Sequence, residues 1–375
     1  MTFCLYVNQI TPHLMPLAQE MLALLGEDNV RYVYVKALGA ARSNLGWSSA
    51  AASWVINKNE RPEEAANWLR TADILICERR DLDLWRQRID SGKGMYYTCE
   101  RWYKPFILGR MFGRDICLSG MLRLLHPGFF KMAWQVSQLF KSNQICYLAD
   151  GVYAAQDFVK TLDLFKGRIF RMGKASNFKI EQRPLGRFEG HPNIRNWGYF
   201  VAPSKGDMTE RKKSDAARKR VLWVGRFLHW KRLDTLVRAC GSLPSVILDI
   251  YGAGPMESSI REMASRYANV HVFPPVPYVQ VRELMRTYDI YVLPSNSWEG
   301  WGAVVNEALE ENMSVLGSIE SGASRTLLSE DSLFHCWDWK LLANMIEYSH
   351  KSGQIGAWSV HQAARSIYEH YKATH

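Results

Sequence analysis

The chain has no uninterrupted apolar run of about 18 residues, so no part of it reads as a span of a lipid bilayer. Cys-x-x-Cys spacing is also missing. The 7 cysteines are an odd number, and Cys4, Cys77, Cys99 and Cys146 fall in apolar, strand-like runs where a buried thiol is the ordinary occupant. Neither disulfides nor a zinc site is expected. The opening MTFCLYVNQI lacks the basic leader and small-residue cleavage site of a secretory signal and reads as a first strand, so a cytoplasmic location is expected. A complete Gly-x-Gly-x-x-Gly is absent too. DIYGAGP offers Gly252 and Gly254 and then a proline, which speaks against a dinucleotide-dependent dehydrogenase. Acid is in short supply: 37 Asp and Glu face 47 Lys and Arg, a formal net charge of +10. Such an excess suits an anionic partner, whether nucleotide phosphate, an anionic membrane surface or nucleic acid.

What is present is enough apolar material for more than one core. At 375 residues, 47% hydrophobic, the chain exceeds one ordinary domain of about 100 to 200 residues, and two lobes are expected. Short β-rich runs alternate with stretches of helical period in both halves, the pattern of parallel sheets covered by helices. The first half supplies FCLYVN, VRYVYV, DILIC, MYYTC and QICYLA. The second supplies RVLWVG, VILDIYG, NVHVF, DIYVLP and SVLGS. Between them lies VAPSKGDMTERKKSDAARKR, rich in charge and poor in apolar residues. The chain thus divides into a first lobe at 1–202, a linker at 203–219, a second lobe at 220–356 and a helical tail at 357–375.

Open α/β sheets bind ligands beyond the carboxyl ends of their strands. In the first lobe those ends carry Asn8 and Gln9, then Glu78 and Arg79, then Glu100 and Arg101, then Asp150 and Gly151. In the second they carry Gly225 and Arg226, Gly252 to Gly254, Ser295 to Glu299, and Glu320 to Gly322. Arg226 and Lys231 flank one strand-to-helix turn, where a planar fork and a point charge suit a diphosphate. In NSWEGWGAVVNEALEENMSV, a helix is expected from about Gly302, with Glu299 in the loop before it and Glu307 more than one turn inside. Backbone N–H groups at a helix start attract phosphate, and a carboxylate accepts hydrogen bonds from sugar hydroxyls.

In order, VGRFLHWKRLDTLVRA, YGAGP, EGWGAVVNEAL and SIESGAS resemble the second lobe of the retaining glycosyltransferases of family 4. The resemblance covers about residues 219 to 330. It implies the α/β GT-B fold, two facing Rossmann-like domains with an interdomain cleft. It also implies a UDP- or GDP-sugar as donor, no required cofactor or metal, and a glycan or lipid-linked acceptor in surface polysaccharide synthesis. By motif position, Arg226 and Lys231 would stabilise the departing diphosphate, Glu299 would bind donor sugar hydroxyls and Glu307 the ribose. Gly225, Gly252, Gly254, Gly300, Trp301, Gly302, Ala303 and Gly322 would line the donor site, and VFPPVPY at 272–278 would lie near the base. On the acceptor side the candidates are His13, with Glu100 and Arg101. His13 is equally read as a helix cap, and Glu100 with Arg101 as an ion pair between strands. Asn312 stands where the family has glycine, and Arg325 where it commonly has an acid.

Asp81-Leu82-Asp83 has the Asp-x-Asp form by which another glycosyltransferase architecture binds a divalent cation, but it opens a helical stretch and reads as helix-start acid. RWYKPFILGRMFGR and HPGFFKMAWQVSQLFK mix basic with aromatic residues, as packed helices and membrane-surface segments both do. Two rival functions remain: a nucleotide-sugar epimerase of similar fold, and a non-enzymatic nucleic-acid-binding protein. The second lacks any compact recognition motif.

Overall fold

The computed structural model describes residues 1–37, 52–167, 179–204, 218–348 and 358–374. Most of the expected linker, including RKKSDAARKR up to residue 217, lies outside them. Strands β1 (Phe3–Val7), β2 (Val30–Tyr34), β3 (Val55–Asn57), β4 (Ile74–Cys77), β5 (Met95–Cys99), β8 (Ile145–Asp150), β9 (Arg187–Phe188) and β10 (His191–Trp197) build the first sheet. Their order is β3-β2-β1-β4-β5-β8-β10-β9, parallel except for the β9–β10 edge. The second sheet uses β11 (Lys219–Arg226), β12 (Val246–Ala253), β13 (Val270–Phe273), β14 (Ile290–Leu293), β15 (Ser314–Ser318) and β16 (Leu333–Phe334). Its order is β13-β12-β11-β14-β15-β16 and all its recorded pairings are parallel. Both orders reverse direction beside their first strand, which puts a crevice at the carboxyl ends of β1 with β4 and of β11 with β14.

Helices cover both faces of each sheet, so central strands are buried on both sides and read as unbroken apolar runs. Every residue of β1, β4 and β14 is buried. The ten strands expected from sequence all form. Those it missed are short (β3, β9, β16), polar in pattern (β10) or outside the sheets altogether.

That outside element is an antiparallel hairpin, β6 (Phe106–Met111) and β7 (Arg114–Leu118). Its two-residue turn puts both Phe112 (φ 49°) and Gly113 (φ 79°) in the left-handed region. A primed turn of this kind matches strand twist, though an aromatic side chain tolerates it poorly.

The lobes share a core. One apolar cluster runs from Leu5 and Val7 through Trp197 and Phe200 to Trp301, Val305 and Ala323. The Trp301 ring lies so close under Gly198 that a Cβ at that glycine would collide with it. The last helix, Val360–Thr374, buries Val360, Ala363, Ala364 and Ile367, one stripe at helical spacing. It lies on the first-lobe helix Met15–Leu25. His361 pairs with Glu20 at 3.2 Å, and the Tyr96 hydroxyl meets His370 Nδ1 at 2.6 Å. The chain therefore ends on the lobe where it began.

Candidate functional site

Two loops of the second lobe carry the charged residues of the cleft. The first leaves β11 at Arg226, is pinned by the buried Phe227, and turns through His229–Lys231. Its helix starts at Leu233, after Arg232 adopts φ 50°. The second runs from Ser295 to Ala303. Its helix spans Val304–Glu310, beginning later than expected because Gly302 has φ 95°, which no right-handed helix accommodates. Glu307 consequently sits in the first turn, not beyond it. The Asn296 N–H donates to the Trp230 carbonyl at 2.8 Å and ties the loops together.

Across that tie, Lys231 Nζ lies 2.5 Å from Glu299 Oε2. Both side chains are mostly buried, at 18% and 13% exposure. Burial works to raise the Glu299 carboxyl, but the Lys231 charge and hydrogen bond outweigh it, and the net result lies below the ordinary carboxylate range. Arg226 is exposed and pairs with no carboxylate among the described residues. The backbone N–H groups of Gly300 to Ala303 donate to no carbonyl among the described residues. The site thus offers a neutralised cation–anion pair, an uncommitted guanidinium and open amides.

Glu307 behaves differently. It is buried, and burial pushes its carboxyl up to about 7 against the opposing pull of Arg282 and a hydrogen bond from Tyr278. His13 reaches it from the first lobe, Nδ1 to Oε1 3.7 Å, and stacks on Tyr199 with centroids 5.9 Å apart. The helix Met15–Leu25 begins with no side-chain cap. The capping role read for His13 is therefore not what it does; the histidine faces the cleft.

Glu100 and Arg101 do not pair with each other. As successive residues at a strand end they point to opposite sides. Glu100 accepts from the Tyr199 hydroxyl at 2.9 Å and lies against Gly300, where a Cβ would strike its carboxylate. Arg101 turns to Asp157 at 3.4 Å and stacks over Tyr153, so it braces the first lobe. Asp150 and Glu78 complete an acidic rim. Burial raises the carboxyls of both, and the Glu100 charge adds to the rise.

Several glycines have structural explanations that need no ligand. A Cβ at Gly252 would meet the Gly225 carbonyl, one at Gly254 would meet the Phe227 backbone at 2.7 Å, and one at Gly322 would meet the Gly300 carbonyl at 2.5 Å. Trp301 is wholly buried, its Nε1 donating to Asn306 at 2.8 Å, so its side chain belongs to the seam. Asp81 caps its helix, accepting from Leu84 N at 3.3 Å, and Asp83 pairs with Arg86 at 2.8 Å. Asn312 takes the left-handed turn, φ 56°, that glycine would otherwise fill.

Sequence reading missed the clasp between the lobes. The Trp298 indole donates to the Pro105 carbonyl at 2.7 Å, Asn296 donates to Asp115 at 2.5 Å, and Arg110 meets Asp234 at 3.1 Å. The fully buried Arg232, next to Lys231, donates to the Gly113 carbonyl at 2.9 Å. The signal available was the Phe-Gly turn inside FILGRMFGRDICL.

Residues 205–354 match the sequence signature of the family described as Glycosyl transferases group 1. The match falls on the second lobe. The chain is accordingly a glycosyltransferase with the GT-B fold. Solved structures agree on the fold across its whole length. HepE of Anabaena, in complex with UDP and glucose, superposes with TM-score 0.57 at 13% identity, covering 100% of both chains. WaaG, a glycosyltransferase involved in lipopolysaccharide biosynthesis, gives 0.52 at 15%, covering 100% of this chain and 95% of that one. The lipopolysaccharide outer core galactosyltransferase WaaB, in its apo form, gives 0.54 at 13%, covering 100% and 98%. At such identities the likeness speaks to fold alone. No curated protein matches the chain. Among the described residues of the enzyme, no helix is long and apolar enough to cross a membrane.

Proposed function

We propose that this glycosyltransferase moves a sugar, with retention at the anomeric carbon, from a nucleotide-diphosphate sugar to a glycan or lipid-linked acceptor of surface polysaccharide synthesis. In this reading it works at the cytoplasmic side of a membrane. The Lys231–Glu299 pair at 2.5 Å carries the reading. A donor supplies what each partner lacks: its diphosphate takes the Lys231 ammonium, and its hydroxyls take the Glu299 carboxylate. The pair separates as the donor seats, so the two charges are positioned before the ligand arrives.

Departure of the diphosphate builds negative charge on its oxygens, and Lys231 with Arg226 stabilises that charge more in the transition state than in the ground state. The amides of Gly300 to Ala303 add uncharged donors. With both cations in place the diphosphate has protein counter-charge, so a divalent ion is not required for its departure. No protein nucleophile is invoked. The reaction passes through a short-lived oxocarbenium-like ion pair, in which the leaving phosphate oxygen takes the acceptor's proton. Glu307 accepts from the nucleotide ribose, and His13 and Glu100 face the transferred sugar or the acceptor. HepE of Anabaena holds UDP in this fold, which favours uracil as the base.

Thermal shift with UDP-, GDP- and ADP-sugars, followed by turnover of Glu299→Ala, tests the assignment. A UDP-sugar is expected to give the largest shift, and the variant to lose turnover while staying folded. Unchanged turnover overturns the site. NMR of the product's anomeric proton tests retention, and activity surviving EDTA tests metal independence. Conversion of the donor sugar without any acceptor would identify an epimerase instead.

A further inference from the structure

Fifteen large hydrophobic side chains are exposed among the described residues, and ten of them lie between Phe106 and Trp134. That concentration is not the scatter of single apolar residues that any surface shows. The hairpin register explains it. Phe106 opposes Leu118, Gly109 opposes Ile116 and Met111 opposes Arg114 on one face, while Arg110 opposes Asp115 on the other. Arg110 and Asp115 turn inward to the second lobe through Asp234, Asn296 and Arg232. The face carrying Phe106, Met111, Ile116 and Leu118 is left outward. Phe112 at the turn is 93% exposed and Leu108, at the register shift, 63%.

The patch continues into the next segment. The Arg123 guanidinium lies 6.0 Å over the Phe106 ring, and beyond it Leu125, Phe130 and Trp134 are exposed, the last two one helical turn apart on Pro127–Leu139. Charge then selects the partner. Residues 101–141 hold seven Lys and Arg and a single acid, Asp115, which is turned inward. Arg123, Lys131 and Lys141 pair with no carboxylate among the described residues, whereas Arg114 stacks over Trp337 of the second lobe at 4.0 Å. A second copy of a chain with net charge +10 would be repelled by such a face. An anionic lipid surface is complementary to both its charge and its apolar residues.

We infer that the β6–β7 hairpin and the segment Gly120–Leu139 form a lipid-docking face, with Phe112 and Leu108 entering the headgroup boundary and Arg123 and Lys131 meeting anionic headgroups. This deepens the reading of a lipid-linked acceptor and rests on it only for the purpose of the docking. The inward side of the hairpin bounds a cavity of about 760 Å³ lined by Leu108, Leu228, Trp230, Leu233 and Trp298. Leu108 is common to cavity and outer face, so the docked lipid surface borders this cavity, whose wall includes Leu228 and Trp230 from the loop that leads to Lys231.

The test is flotation of the full chain with phosphatidylcholine vesicles, with and without phosphatidylglycerol, at low salt. Two outward-face variants are compared with it: Leu108→Ser/Met111→Ser/Phe112→Ser, and Arg123→Gln/Lys131→Gln. The native chain is expected to float only with phosphatidylglycerol, the apolar variant to lose flotation, and the charge variant to bind roughly fivefold more weakly per cation removed. UDP binding by thermal shift is expected to be unchanged in both. Absence of flotation with the anionic vesicles, flotation unaffected by the variants, or self-association of the native chain abolished by the apolar variant would each overturn the inference. Loss of UDP binding in the native chain would instead strike the proposed donor site, and leaves the flotation result readable.

Discussion

The first lobe ends its central strands in Glu78, Glu100 and Asp150, whereas the second ends β11 in Arg226 and reaches Lys231 a turn later. The sheets follow the same winding, so the contrast lies in how each rim handles charge. In the first lobe, burial and mutual repulsion drive Asp150 and Glu78 toward their neutral forms. In the second, Glu299 stays ionised because Lys231 is beside it. One rim suits hydroxyl-bearing ligands and the other a diphosphate. Between them stands a shared core, and the sharpest way to break the comparison is to remove what joins the lobes.

Trp301→Ala should have the largest effect. The ring is fully buried under Gly198 and against Trp358 and Tyr199, and truncating a core tryptophan costs about 3–5 kcal/mol. Urea unfolding is expected to show a single transition with a much lower midpoint. Two separated transitions would mean that the lobes fold independently of this seam. Next comes Lys231→Ala, expected to lower kcat by about a hundredfold or more, roughly 3 kcal/mol of transition-state stabilisation, with unfolding little changed. A drop confined to KM would make Lys231 a binding residue only.

The same contrast governs what the sequence disclosed. Arg226, Lys231 and Glu299 sit in loops, and Glu307 in the first turn of the helix after one, at positions that follow from local strand–turn–helix order, so a motif in sequence is enough to bring them to one rim. First-lobe residues have no such shorthand. Tyr199 and Glu100 meet across 99 positions, and His13 meets Glu307 across the lobes. Nothing in a linear pattern encodes those encounters. The hairpin was misread for a related reason. Outside a sheet its alternation serves two environments, the second lobe and the exterior, so FILGRM looks like neither an ordinary strand nor a helix. Trp301 was read as a ligand neighbour from its place in a motif, whereas packing at Gly198 claims its side chain.

Glu307 allows a test by pH. Its folded carboxyl lies at about 7, above the ordinary value of 4.5, because of burial. The fold therefore favours its protonated form, and its contribution to stability falls as pH rises from about 4.5 through 7. A ribose hydroxyl donates best to the carboxylate, so donor binding has the opposite slope. UDP affinity is expected to increase as pH rises through 7, by up to about tenfold per unit below that point. Calorimetry should show proton release on binding near pH 7. Glu307→Gln should abolish the release. If both proteins release equally, the proton comes from elsewhere and Glu307 does not sense the ribose.

The smallest expected effect tests the contact where the two rims touch. Glu100 lies against Gly300, at the start of the run of open amides, and its charge is held there by the Tyr199 hydroxyl at 2.9 Å. A carboxylate at that place competes with an arriving diphosphate. Two like charges about 4 Å apart cost about 1 kcal/mol in water and about 4 kcal/mol near a protein surface. Partial retreat of the side chain toward Lys104, 3.9 Å away, favours the lower figure. Glu100→Gln keeps the shape and the Tyr199 partner while removing the charge, so UDP should bind severalfold more tightly to the variant. If the residue instead grips the sugar, the neutral amide accepts more weakly. UDP affinity would then be unchanged while the KM for the sugar donor rises. Whether UDP affinity rises or stays unchanged therefore decides whether the first lobe's acid opposes the donor's phosphates or serves its hydroxyls.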